Sequence, residues 1–139
     1  MPMFILDASN AVSRCVPGDP TEDTPYSRII LNRLAIDDAV VPVIWAFEIG
    51  NSIFVSCNWR KRITEHQIRE YLDLLKALPI HVETQSVWAN VDLESVARRR
   101  NLTAYDVAWL HLVQHTSLPL AMSDGSVKEA AIAEGDALI

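Results

Sequence analysis

The sequence predicts an α/β fold in a single domain (residues 1–139), and three observations lead to it. Short, nearly unbroken apolar runs open the chain at Met3-Phe4-Ile5-Leu6 and recur at residues 39–43 and around Leu120. Runs of this length without polar alternation suit strands covered on both faces, as in a parallel sheet. Between the runs, apolar residues recur at helical spacing. No repeat, low-complexity tract or linker divides the 139 residues, a length suited to one domain with a substantial core. Strands alternating with helices imply a central parallel sheet, of about four to five strands, with right-handed crossovers and flanking helices.

The first strand ends on Asp7, the only formal charge between Met1 and Ser13. Residues 8–14 can form a short helix capped by Asp7 or Ser9, which Pro17-Gly18-Asp19-Pro20 then breaks. Thr24-Pro25 starts the next helix with a hydroxyl cap and a proline at its first position, leaving Asp37-Asp38 in the loop beyond. Residues 39–43 form the second strand, with Pro42 near its end. Residues 44–59 read as a helix that is apolar on almost every side. Glu48 is its one charge, and Asn51 follows one turn later.

Arg60-Lys61-Arg62 closes that helix with favourable positive charge. Thr64-Glu65-His66-Gln67 resembles a capping box, and Ile68, Tyr71, Leu72, Leu75 and Leu78 follow helical spacing, so one stripe should be buried. Pro79 stops this helix before a third strand at Ile80-His81-Val82. Residues 86–100 form a helix ending in Arg98-Arg99-Arg100, and Asn101-Leu102 turns the chain into another from Thr103 to about His115. Residues 118–123 form a fourth strand leading to Asp124. Residues 127–133 form a short helix, and 137–139 a last strand.

Half the residues are hydrophobic and 22% are charged, as in a globular chain. No apolar run approaches the ~18 residues of a membrane span. No basic segment precedes the first apolar run, so a secretory signal is not expected and a cytoplasmic location is. Cys15 and Cys57 lack metal-ligand spacing and are expected to be a reduced pair. A net charge of −6 argues against a broad positive surface for nucleic acid, but not against an enzyme whose acids gather at a metal.

Asp7, Glu48, Asp106 and Asp124 are each isolated carboxylates in, or at the end of, an apolar segment. An ionised carboxylate taken out of water needs a partner, strong hydrogen bonds or a cation. Local explanations exist for three of them. Asp7 can cap a strand-to-helix turn, Asp106 can close a box with Thr103, and Asp124 can cap the helix behind Gly125. Glu48, in mid-helix beside Trp45, Ala46, Phe47 and Ile49, has no such role. Acids at two strand ends, on one apolar helix and in the first turn of another can meet at one sheet edge. Carboxylates without histidine or cysteine partners suit a hard cation, Mg²⁺ or Mn²⁺, and such a site suits phosphoryl chemistry.

Ile5-Leu6-Asp7-Ala8-Ser9, Glu48, Leu102-Thr103-Ala104-Tyr105-Asp106-Val107-Ala108 and Leu120-Ala121-Met122-Ser123-Asp124 together resemble the PIN domain. The nearest resemblance is to the toxin ribonucleases of VapBC-type toxin–antitoxin pairs, and it spans nearly the whole chain. It implies a metal-dependent endoribonuclease cutting single-stranded or looped RNA to leave a 5′-phosphate and a 3′-hydroxyl. It also implies inhibition by a cognate antitoxin, through a basic side chain, and a homodimer. By position Asp7, Glu48, Asp106 and Asp124 would be the metal-binding, catalytic acids, with Ser9 supporting the first and Asn51 the polar neighbour of Glu48. One departure stands out: Met122 occupies the position, two before the last acid, where the family usually has threonine.

His111 and His115, at i and i+4, share a helix face, but no third histidine or cysteine accompanies them, so zinc is not expected. The two arginine-rich clusters end helices, where cations are favourable, and can also grip phosphate. Trp45, Trp59, Trp88 and Trp109 suit core or interface anchors, with Trp59 a candidate for RNA or partner contact. Two rival readings remain. One is a PIN-like interaction module that has lost turnover. The other is a receiver-type domain using Asp7, which lacks the acidic pair and strand-end lysine that chemistry needs.

Overall fold

The computed structural model describes residues 3–8, 25–55, 63–84, 93–122 and 125–139. The predicted helix over 8–14, the first half of the helix predicted over 86–100, and the span from 56 to 62 with Trp59 and the first basic cluster lie largely or wholly outside them. So do Cys15, Cys57 and Trp88.

The chain is an α/β domain built on a four-stranded, all-parallel sheet flanked by helices. Strands β1 (Met3–Leu6), β2 (Asp38–Pro42), β3 (Ile80–Glu83) and β4 (Leu120–Ala121) alternate with α1 (Pro25–Arg33), α2 (Ile44–Phe54), α3 (Glu65–Ala77), α4 (Leu93–Arg100), α5 (Ala104–Thr116) and α6 (Ser126–Ala133). Spatial order is β3-β2-β1-β4. The chain thus winds outward from β1 on one side, then returns to add β4 on the other. The order reverses between β1 and β4, and such a switch point opens a crevice at the carboxyl ends of the strands. Asp7 follows β1 at that position.

The central strands carry the core because they are covered on both faces. Phe4, Ile5, Leu6, Val41 and Leu120 are fully buried, joined by Ile30 of α1 and by Leu110 and Val113 of α5. Each such side chain stabilises the fold by roughly 1.5–3 kcal/mol through removal from water. Helix starts follow the local chemistry. Thr64 Oγ1 accepts from the Gln67 backbone N–H (3.2 Å) while Gln67 Oε1 accepts from the Thr64 N–H (2.8 Å), completing the capping box at α3.

Several details differ from the sequence reading. Asp38 opens β2 rather than lying in a loop, and binds His81 on β3 at 2.8 Å. Asp37 is buried because Arg33 in the last turn of α1 meets it at 2.7 Å, and the same guanidinium lies 5.5 Å from the Phe4 ring centroid. On α3 Tyr71 is the one buried residue, and Leu72 stays 38% exposed. The stripe faces incomplete cover because β3 is an edge strand, with Val82 itself 49% exposed. The fourth strand contracts to two residues, and the final strand to one parallel bridge, Leu120 to Leu138.

Candidate functional site

Asp7 sits one residue past β1, 7% exposed, with its backbone N–H donating to the Ala121 carbonyl at 3.3 Å. Leu6 is in register with Ala121, so Asp7 stands in the same row as Met122, two residues before Asp124. The sheet therefore brings the first acid beside the segment leading to the last. Asp124 and Ser9 themselves lie outside the described residues.

Glu48 and Asp106 arrive from two helices. Trp45, Ile49 and Ile53 point α2 into the core, and Glu48 flanks that face, half-buried. Its Oε1 accepts a hydrogen bond from Trp109 Nε1 at 3.1 Å, which ties α2 to α5. Asp106 lies three residues before Trp109, on the same side of α5. Thr103 Oγ1 accepts from the Asp106 backbone N–H, and Asp106 Oδ2 accepts from the Thr103 N–H, both at 3.2 Å. The capping reading of Asp106 is therefore correct. It leaves the Oδ1 lone pairs for another role.

Burial pushes the Glu48 carboxyl above its ordinary range. The Trp109 hydrogen bond opposes the shift, and the charge of Asp106 adds to it. Glu48 and Asp106 thus feel one another across the α2–α5 contact. Asn51, one turn beyond Glu48, is exposed.

Among the described residues, no group of three or more histidine, cysteine, aspartate or glutamate side chains lies close enough to share an ion. Asp7, Glu48 and Asp106, all among the described residues, therefore do not form one such group, and Asp124 lies outside the described residues. What the structure brings together is Asp7 with the Met122 backbone at the strand switch, and Glu48 with Asp106 at the α2–α5 contact. All these donors are hard oxygens, the chemistry a Mg²⁺ or Mn²⁺ ion selects. A cation beside Glu48 would relieve both the burial of its charge and its repulsion by Asp106.

The histidine pair stands elsewhere. The His111 and His115 rings stack with centroids 5.7 Å apart, beside a cavity of about 280 Å³ lined also by Val43, Phe47 and Leu112. Burial and the neighbouring imidazole hold His111 below its ordinary pKa. Arg99 and Arg100 are engaged by Glu134 at 3.1 and 3.0 Å, as structural helix-end cations.

Sequence reasoning left two residues of this region without a site role. The sequence marks Trp109 as a core or interface anchor, and its spacing from Asp106 is the signal that ties it to this region. Tyr26 of α1 hydrogen-bonds Ile139, a contact 113 residues apart in the chain, and nothing local to Tyr26 marks it.

No protein-family model matches the chain, and no curated protein matches it significantly.

Proposed function

We propose that this protein is a metal-dependent phosphodiesterase acting at the carboxyl edge of its sheet, with Asp7, Glu48, Asp106 and Asp124 as the acids. The observation that carries the reading is the buried Asp7 at the β1–β4 switch point, where open α/β sheets bind their ligands. More particularly, we propose a PIN-like endoribonuclease toxin of the VapBC type, acting on single-stranded or looped RNA. The residue resemblance supports that step.

Asp7, Glu48, Asp106 and Asp124 would hold Mg²⁺ or Mn²⁺, which when bound would supply charge neutralisation and Lewis acidity toward a phosphodiester. Trp109 fixes the rotamer of Glu48 and withdraws one of its lone pairs, leaving Oε2 for the ion. Thr103 similarly orients Asp106. Ser9 would support Asp7, and Asn51 would reach the substrate from the exposed side of α2.

The cytoplasmic location and the partners belong to the same proposal. Val43, Phe47 and Phe54 are 52%, 70% and 54% exposed and fall on one stripe of α2. Such a stripe suits a homodimer contact. The net charge of −6 suits an antitoxin that approaches the acids with a basic side chain. No helix among the described residues is long and apolar enough to cross a membrane.

The direct test is cleavage of a structured RNA panel with Mg²⁺ or Mn²⁺. Wild type should cut, and Asp7→Asn should lose about a hundredfold or more, since metal chemistry supplies several kcal/mol of transition-state stabilisation. Equal cleavage by the variant, or indifference to chelation, would refute the assignment. Metal-independent RNA or protein binding without cleavage would favour the interaction module.

A further inference from the structure

The chain has four histidines, and the structure divides them into two kinds. His66 and His81 each meet a carboxylate, Glu70 at 2.9 Å and Asp38 at 2.8 Å. His111 and His115 meet one another. Their rings stack with centroids 5.7 Å apart and planes inclined by 29°.

Helix α5 holds this second pair in place. Val107, Trp109, Leu110, Leu112 and Val113 are buried, so the backbone beneath the two imidazoles is fixed by the core. Residues four apart on a helix carry their side chains one above the other. A cation bound tetrahedrally by two imidazole nitrogens at about 2.0 Å sets the ring centroids roughly 5 Å apart. The stacked pair stands close to that spacing, and little ordering is needed to reach it.

Both rings line the cavity of about 280 Å³ beside α2, together with Pro42 and Glu83. Those two residues end β2 and β3, so the cavity lies on the far side of the sheet from the β1–β4 switch that Asp7 occupies. Glu83 brings a carboxylate to the same cavity without joining the histidines in one group of three ligands. Among apolar walls, such a charge attracts a cation more strongly than it would in water. Burial and the neighbouring ring hold His111 below its ordinary pKa, which keeps the imidazole in its neutral, ligating form.

We propose that His111 and His115 chelate a borderline divalent cation, Zn²⁺ foremost, at this cavity, as an ion site separate from the carboxylates. Imidazole suits Zn²⁺, Ni²⁺ and Cu²⁺, whereas carboxylates suit Mg²⁺ and Mn²⁺. The sequence has no third histidine or cysteine beside the pair, and the site does not need one. His115 is exposed, so water completes the coordination shell, as it does at open zinc sites. One helix then carries two ion chemistries, oxygen at Asp106 in its first turn and nitrogen toward its last. This second site stands whether or not the acids cut RNA.

The test is titration of the full chain with Zn²⁺, followed by nitrogen NMR of the imidazole rings, for wild type, His111→Ala, His115→Ala and His66→Ala. In wild type the ring nitrogens of His111 and His115 should shift together, while those of His81 stay in place. Mg²⁺ should move neither ring of the pair. Losing an outer-shell partner already weakens a metal site by about ten- to a hundredfold, so losing either ligand should cost at least about tenfold. His115 lies at the surface, so its alanine variant should keep the wild-type fold. His66→Ala should keep wild-type Zn²⁺ affinity. Rings unmoved by Zn²⁺, a shift of one ring alone, or undiminished affinity in His115→Ala would each overturn the proposal. A Zn²⁺ signal that vanishes in Asp7→Asn but survives in His115→Ala would place the ion at the acids and overturn it as well.

Discussion

Trp109 Nε1 donates to Glu48 Oε1 at 3.1 Å, a side-chain bond that spans 61 residues and joins the two helices bearing Glu48 and Asp106. Trp45 offers a matched contrast. It is also buried, but among the described residues its Nε1 has no hydrogen-bond partner. Replacing either indole by phenylalanine removes similar volume, so the difference between the two variants isolates the bond to Glu48. Trp109→Phe should cost about 1–3 kcal/mol more than Trp45→Phe, because it also strands the acceptor at Glu48. Urea unfolding of both variants at pH 7 measures this directly. Equal losses would show that the bond contributes nothing.

Glu48 itself should trade stability against function. Its folded-state pKa lies above the ordinary value of 4.5, because burial and Asp106 disfavour the charge. A carboxyl raised in this way contributes stability below its unfolded pKa, and that contribution is lost as pH rises through the folded pKa. At neutral pH the ionised side chain therefore destabilises the metal-free protein. Glu48→Gln keeps an acceptor for Trp109 and removes the charge. Its metal-free Tm at pH 7 should exceed wild type by on the order of 2 °C, with the gap closing toward pH 4. Burial raises the Asp136 carboxyl as well, which is why the readout is the difference between the two proteins. Added Mn²⁺ should stabilise wild type and leave the variant unmoved. A variant less stable than wild type at pH 7 would contradict the burial argument.

How much of this was legible in the sequence depends on the range of the interaction. Asp7 at a strand end and the two capping boxes follow from residues a few positions apart, and all appear where local chemistry placed them. The parallel sheet follows from unbroken apolar runs, because such runs need cover on both faces. The weak cover of α3 was not legible, since helical spacing does not reveal that the neighbouring strand is an edge. Asp37 and Asp38 looked like loop residues because a pair of acids is polar. In the fold each has a cation or imidazole partner, one supplied from β3. The bonds of Trp109 to Glu48 and of Tyr26 to Ile139 arise only once the chain has crossed over. The four acids were named by resemblance and isolation, and the switch point gives Asp7 a physical reason to be there.

Thr103 should matter twice. Its hydroxyl caps α5, and its backbone N–H holds Asp106 Oδ2. Thr103→Ala removes the first and loosens the second, so stability should fall by about 1 kcal/mol. Metal affinity should fall with it, because Asp106 loses its orientation. Thr103→Ser keeps the hydroxyl and should restore both. Chemical denaturation and Mn²⁺ titration of the pair provide the check. Restored stability without restored affinity would separate the cap from the site.

The outward stripe of α2 leads to the last expectation. Val43, Phe47 and Phe54 are exposed along the outward side of α2, and Gly50 between them has open space beyond its α-carbon. Exposed aromatic rings recurring along one stripe suit a second helix of the same kind, since a twofold contact places a patch against itself. Phe47→Gln and Phe54→Lys remove this apolar area without disturbing the core. Lysine near the end of α2 also suits the helix dipole. As surface substitutions they should leave monomer stability within about 0.5 kcal/mol. Light scattering coupled to gel filtration should then show a dimer for wild type and a monomer for the double variant. Far-ultraviolet circular dichroism should be unchanged between them. A monomeric wild type, or a double variant that remains dimeric, would remove the stripe of α2 from the assembly.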